Sequence, residues 1–287
     1  MRFVPMKEIL MMAREKGIGY GGYVFWSMEV AHAAIEAGNE TNTPIILQIG
    51  QTEVDMLGGF ENTVKTVEIA GRNAKVPVAL HLDHALTFDA CAEAIRVGFS
   101  SVMIDASSKP FEENIALTRK VVECARPAGV TVEGELGRLV GEEGEIAVKG
   151  PEAAQTDPKE AKEFVERTGI DCLAVSIGTQ HGQYNFEPKL NLKRLAEIRD
   201  NVDVPLVLHG GSCTPLSQVQ ESIRLGINKI NICTDIILAM AQQYKTQVND
   251  SAFKYNTINF FGPPNQAAKD MITDKIKAFA LEYDAKD

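Results

Sequence analysis

Short, uninterrupted apolar runs alternate with longer stretches in which apolar residues recur every three or four positions, almost from end to end of the chain. The runs I-I-L-Q-I, V-A-L-H-L, L-A-V-S-I and P-L-V-L-H are apolar at odd and even positions alike. That is what a parallel strand covered on both faces requires. Eight strands are expected, at 22–25, 44–49, 76–81, 101–105, 131–135, 172–177, 205–209 and 229–232. Helical periodicity lies between them at 28–37, 88–97, 112–125, 158–167, 192–200 and 215–225. An N-terminal helix carries Met6, Ile9, Leu10 and Ala13 on one face and stops at Gly17. Gly98 and Gly226 end two further helices just before a strand, the usual C-cap use of glycine.

Strand then helix, eight times over, is the pattern of an α/β chain folded as a (β/α)8 TIM barrel, here one domain over residues 1–287. A doubly wound open sheet competes, but no Gly-rich dinucleotide turn follows the first strand. Segment 137–150, rich in glycine and glutamate, breaks the rhythm and is expected as a polar lid over the barrel mouth. Segment 251–287 is read as a loop, N-F-F-G-P-P-N, followed by a helix used in packing between subunits.

Composition narrows the function classes. With 287 residues, 45% of them hydrophobic, the chain can bury a large core without staples. Its 39 acidic against 29 basic residues give a net charge of −10. That argues against nucleic acid or an anionic membrane as partner, since both reward clustered Lys and Arg. No apolar run approaches the ~20 residues of a membrane span, and the N-terminus lacks the pattern of a signal peptide. The five cysteines are scattered without a C-x-x-C, which signals neither a disulfide framework nor a thiolate zinc knuckle. A cytoplasmic enzyme with reduced thiols is expected.

In a barrel, chemistry gathers where the strands end at the C-terminal face. There this chain places H-L-D-H after strand three, I-D-A-S after strand four, E-G-E at strand five, G-T-Q-H-G at strand six, H-G-G-S at strand seven and N-I-C-T-D at strand eight. His84, His181 and His209 come from three strand ends and can hold a catalytic zinc with one position open. Cobalt, manganese or iron(II) would suit the same imidazoles. Strand alternation sends His81 to the same side as Asp83, where packing or orienting neighbours is its expected work. Asp83, beside a ligand, is either a carboxylate that orients the ligand or an acid/base group. Asp105 and Glu135 either orient ligands or lend a second metal position. The glycine-rich ends of strands seven and eight, with Ser212 and Thr234 beside them, present backbone N–H groups and hydroxyls of the kind that hold a phosphate.

These motifs together, V-P-V-A-L-H-L-D-H-A-L-T-F-D-A-C, V-E-G-E-L-G, S-I-G-T-Q-H-G-Q-Y, P-L-V-L-H-G-G-S and I-N-K-I-N-I-C-T-D-I, resemble the class II metal-dependent ketose-bisphosphate aldolases over essentially the whole chain. The resemblance implies reversible cleavage of a phosphorylated ketose to dihydroxyacetone phosphate and an aldehyde through a zinc-stabilised enediolate. It implies one zinc per subunit on His84, His181 and His209, and makes Asp83 the group that moves the proton on the hydroxyl next to the breaking bond. Asp105 and Glu135 match carboxylates behind the ligands, and Glu143 matches a loop glutamate that exchanges a proton at the enediolate carbon. Gly182 matches a backbone position near the phosphate and a monovalent cation. Gly210, Gly211 and Ser212, with Asn231, Ile232, Cys233 and Thr234, match the phosphate-binding turns. The partners implied are a small sugar phosphate and a second copy of the chain in a dimer or tetramer.

The sequence departs from the family at the first strand, where Val24, Phe25, Trp26 and Ser27 replace a polar asparagine pattern. Ile49-Gly50-Gln51 stands where a serine-containing turn is common after strand two, and Asn185 where a basic residue often follows. These changes leave fructose 1,6-bisphosphate as one candidate among several ketoses and point to an altered aldehyde half, acidic or deoxy. Two other readings compete: a barrel metal hydrolase working through a metal-bound hydroxide, and a catalytically silent sugar-phosphate-binding homologue of the aldolases.

Overall fold

The computed structural model describes residues 2–137, 141–143, 146–148, 155–179, 182 and 188–285. Eight parallel strands close into a barrel: β1 (Tyr20–Val24), β2 (Ile45–Ile49), β3 (Val78–Ala85), β4 (Ser101–Ile104), β5 (Thr131–Leu136), β8 (Cys172–Val175), β9 (Leu206–Leu208) and β10 (Ile227–Ile232). Between β5 and β8, β6 (Gly141–Glu143) and β7 (Ile146–Val148) pair as an antiparallel ribbon outside the barrel. The barrel closes where β1 pairs with β10, Gly22 opposite Asn231. Every expected strand is present, with its ends shifted by a few residues.

The outer ring holds α2 (Met28–Thr41), α3 (Gln51–Met56), α4 (Phe60–Ala70), α5 (Phe88–Val97), α6 (Phe111–Ala125), α7 (Pro158–Thr168), α8 (Leu192–Arg199), α9 (Leu216–Arg224), α10 (Thr234–Asn249) and α11 (Thr257–Phe279). Side chains at one parity of each strand, such as Leu47, Leu80, Val132 and Ile230, pack against these helices in the main core. The opposite parity faces the barrel axis. Its lowest layer, Tyr20, Ile46, Ala79, Cys172 and Val207, is sealed by Met6, Ile9 and Leu10 of the N-terminal helix α1 (Met6–Lys16). That helix stops at Gly17, whose φ of 66° is the left-handed cap glycine supplies at no steric cost. The bottom of the barrel is thus plugged mainly with apolar side chains, with the Thr131 hydroxyl accepting from the Lys7 N–H of α1 at 3.0 Å, and most polar groups are left to the middle and top.

The C-terminal expectation needs correction. N-F-F-G-P-P-N is not a loop: it lies inside α11, with Pro263 and Pro264 in helical backbone. Proline has no N–H, so Pro263 leaves the carbonyl of Asn259 without its helical donor. Gln247, at the end of α10, supplies one instead, its Nε2 donating to Asn259 O at 2.8 Å.

Candidate active site

The inward positions of the strands become polar halfway up the barrel. Gln48 of β2, His81 of β3, Glu133 of β5 and Lys229 of β10 fill a fully buried middle layer. Above it stand Asp83, Asp105, Glu135, His209 and Asn231, at or just past the strand ends. The E-G-E spacing puts Glu133 and Glu135 on the same face, one layer apart.

Asp83 and His84 are adjacent, yet both reach the axis. The register between β3 and β4 shifts between Leu82 and Ala85, and His84 has a φ of 47°. A bulge of this kind re-aims a side chain that strict alternation would send outward. The two histidine rings then meet edge to face at 4.6 Å between centroids, and Asp83, His84 and His209 each offer a ligand atom within 4.8 Å of the others.

Carboxylates fix how these rings present themselves. His84 Nδ1 lies 3.1 Å from Asp105 Oδ2, and Asp105 is itself held by the hydroxyl and the backbone N–H of Ser107, at 2.7 and 3.0 Å. His209 Nε2 lies 2.8 Å from Glu133 Oε1. A neutral imidazole that donates to a carboxylate through one nitrogen carries its lone pair on the other. His84 therefore presents Nε2, and His209 Nδ1, as the basic atom. Glu135 stands between the two, 3.8 Å from His84 Nδ1 and 3.7 Å from His209 Nδ1.

Asp83 is positioned from both sides. Its Oδ2 accepts from Gln48 Nε2 at 2.8 Å and from Asn231 Nδ2 at 3.4 Å. Burial alone would raise this carboxyl, but His84, His81 and Lys229 outweigh it and hold it well below the usual carboxylate range. For Glu133 as well, burial opposes the charge while Lys229 and His209 restore it, and the net direction is downward. His81 goes the other way: burial and Lys229 lower it, so the ring is neutral, its Nδ1 2.7 Å from Ser101 Oγ.

The turns after β9 and β10 are laced together. Gly210 has a φ of 65°, and a Cβ on Gly211 would lie 2.3 Å from Ile230, so neither position admits an ordinary side chain. Ser212 Oγ accepts from the backbone N–H of Cys233 and Asp235, at 3.1 and 3.3 Å, which leaves its own proton to donate. Asp235 Oδ1 accepts from Cys213 N, and its other oxygen pairs with Lys275 of α11 at 2.7 Å. The acid beside these turns is thereby neutralised. Thr234 opens α10, whose N-terminal amides and dipole favour an anion. Ile232 turns its side chain into the outer core, so its backbone alone is available to the axis.

Gly182 sits in a bend with a φ of 82°. His181 lies outside the described residues; Glu143 is placed by its backbone in β6, and its side chain lies outside them. Sequence reasoning missed two interior residues, Gln48 and Lys229, and assigned no role to Glu133. The signal was there: each is a polar or charged residue at the inward parity of a parallel strand.

Comparison with known proteins agrees with this geometry. The family model for class II fructose-bisphosphate aldolase matches residues 4–282. The chain is 43% identical over 288 residues to a protein named fructose-bisphosphate aldolase from Staphylococcus aureus, and 42% identical to its namesake from Staphylococcus epidermidis, covering all of both chains in each case. It superposes on the crystal structure of the YdjI aldolase from Escherichia coli with a TM-score of 0.84, at 34% identity, covering 96% of this chain and 97% of that one. The chain belongs to the class II fructose-bisphosphate aldolase family.

It is a metal-dependent aldolase, a lyase of carbon–carbon bonds, and the reading as a silent homologue finds no support. Class II aldolases work with a divalent metal, in general zinc, and the interior of the barrel fits one. Asp83, Glu133 and Glu135 bring three buried carboxylates into the axis, with Asp105 half-buried beside them, and among the described residues Lys229 is the lone ammonium buried with them. Such an excess of buried negative charge calls for a cation. The two imidazoles oriented by carboxylates are the arrangement that metal-ligating histidines adopt. No helix of the described residues is long and apolar enough to cross a membrane.

Proposed function

We propose that this aldolase, a single barrel domain, reversibly cleaves a phosphorylated ketose into dihydroxyacetone phosphate and an aldehyde at the mouth of the barrel. The convergence of Asp83, His84 and His209 at the β3 bulge is the observation that carries this reading. One zinc would be held by His84, His181 and His209, and when bound it polarises the ketone and stabilises the negative charge left by carbon–carbon cleavage. Asp105 and Glu135 keep the imidazoles in register.

Asp83 takes the proton from the hydroxyl next to the breaking bond and returns it in the synthetic direction. Gln48 and Asn231 hold its Oδ2, leaving Oδ1 for that proton; Oδ1 is buried and has no hydrogen-bond partner among the described residues. Glu143 handles the proton at the carbon of the enediol. The phosphate rests on Gly182, Gly210, Gly211, Ser212, Asn231, Ile232, Cys233 and Thr234, with a monovalent cation beside it. The Ser212 proton and the start of α10 are the donors there.

The far half of the ketose is uncharged. Residues 24–28, 50–60 and 85–90, which follow β1, β2 and β3, contain no Lys or Arg. Glu53 instead closes over Gly50, its Oε2 2.9 Å from where a Cβ would stand. A second phosphate or an acidic aldehyde would meet a carboxylate there, whereas a deoxy or other neutral aldehyde would not. Two copies of the chain associate through α10 and α11, which expose Ile237, Leu238, Val248, Ile258 and Phe261. The five free thiols suit a reducing, cytoplasmic setting.

The test is deuterium exchange of dihydroxyacetone phosphate in D2O, followed by NMR. Exchange that vanishes on chelation and returns with zinc is expected, and no exchange in zinc-loaded protein would overturn the reading. Aldehyde panels then decide the far half: fructose 1,6-bisphosphate as the best substrate by kcat/KM would overturn the uncharged-aldehyde assignment.

A further inference from the structure

Lys229 has no place in the chemistry just proposed. Its ammonium is fully buried in the middle layer, below the mouth, where burial of a charge is costly unless it is paired and hydrogen-bonded. It is paired: Nζ lies 2.9 Å from Glu133 Oε2. The other oxygen of Glu133 receives the His209 Nε2–H at 2.8 Å. The barrel also makes room for it. A Cβ on Gly22 of β1 would stand 2.1 Å from Gln48 Oε1 and 3.0 Å from Lys229 Cε, so glycine at this point clears space for the Gln48 amide and, beside it, the lysine stem.

A buried ion pair adds little stability over a well-packed apolar pair, so stability alone is a poor reason for one here. Its geometric effect is definite. A carboxylate with one oxygen pinned by an ammonium cannot rotate about its Cγ–Cδ bond, and Glu133 Oε1 is held facing the ring of His209. From these contacts we propose that Lys229 is a positioning residue for the metal ligand His209, acting through Glu133: it fixes the carboxylate that keeps the ring proton on Nε2 and the Nδ1 lone pair toward the metal. The inference rests on the proposed ligand role of His209.

The experiment measures zinc affinity by competition with a chromophoric chelator, together with the 15N shifts of the imidazole nitrogens, on folded protein. His209→Ala tests the underlying reading, and unchanged zinc affinity in that variant would overturn it without bearing on Lys229. Lys229→Met keeps the stem and removes the charge. It should weaken zinc binding ~10–100-fold, the range typical of groups that orient metal ligands, and abolish the Nε2–H signature of His209. Glu133→Gln should do the same, and the double variant should bind zinc no worse than the weaker single one, because both act along one path. Glu133→Gln leaves the lysine in place and should weaken zinc binding in the same direction, which keeps the test available if Lys229→Met fails to fold. A merely structural role predicts lowered thermal stability with zinc affinity and tautomer unchanged. That result, or losses that multiply in the double variant, would overturn the proposal.

Discussion

At Asp83 the described contacts come from two strands at once: Gln48 of β2 and Asn231 of β10 grip one carboxylate oxygen. The proposed division of labour separates Asp83, which moves the hydroxyl proton, from Glu143, which moves the carbon-bound one. Asp83→Asn should therefore lose ~10²–10⁴ in cleavage rate, the usual worth of a positioned acid/base group, while metal-dependent deuterium exchange of dihydroxyacetone phosphate persists. Glu143→Gln should show the reverse bias. Equal loss of both activities in Asp83→Asn would refute the division. Lys229 raises a second question at this scale, since a lysine inside an aldolase barrel invites the thought of an imine with the ketone. Its Nζ is fully buried and salt-bridged to Glu133, so borohydride added with dihydroxyacetone phosphate should leave the protein mass unchanged.

Elements were legible in the sequence where a local rule decides them. The strands showed as runs apolar at both parities because each is covered inside and out, and the strand-end histidines stood out because nothing apolar explains them. The bulge in β3 was not legible: alternation puts His81 and Asp83 together and sends His84 away, and a shift against β4 that no local signal announces brings His84 back. The helix α11 was misread for a similar reason. Two consecutive prolines are sound local evidence for a loop, but the carbonyl that Pro263 leaves bare is satisfied by Gln247, twelve residues upstream on another helix. Gln247→Leu should thus remove the donor to this part-buried carbonyl and cost about 0.5–1.5 kcal/mol, read as a lower urea midpoint. An unchanged midpoint would mean that water replaces the side chain.

Over the whole molecule, the barrel axis carries more buried negative than positive charge, and the groups involved titrate in opposite directions. His81 is lowered from its ordinary value by burial and by Lys229. In metal-free protein the unfolded chain therefore binds a proton at His81 that the folded chain refuses, and stability falls once the pH drops below about 6.5. Glu133 and Asp105 lie below their ordinary range, Glu133 through Lys229 and His209 and Asp105 through His84 and Ser107, each against the opposing effect of burial. Their contribution is present above about pH 4.5 and is lost as the pH falls further. On the alkaline side, burial pushes the Cys91 and Cys233 thiols up to about 12. Their neutral forms are favoured in the fold, so stability declines as the pH rises through about 8.5, where the unfolded thiols ionise. Chelated protein should consequently show a thermal midpoint that is flat between about pH 6.5 and 8.5 and falls on both sides. Zinc should raise that plateau, by about 2.7 kcal/mol of stability at a free concentration 100 times its Kd. Calorimetry across this range, with chelator and then with zinc restored, checks both. A midpoint that rises on acidification below pH 6.5 would mean that His81 gains a proton in the fold, contrary to its burial beside Lys229.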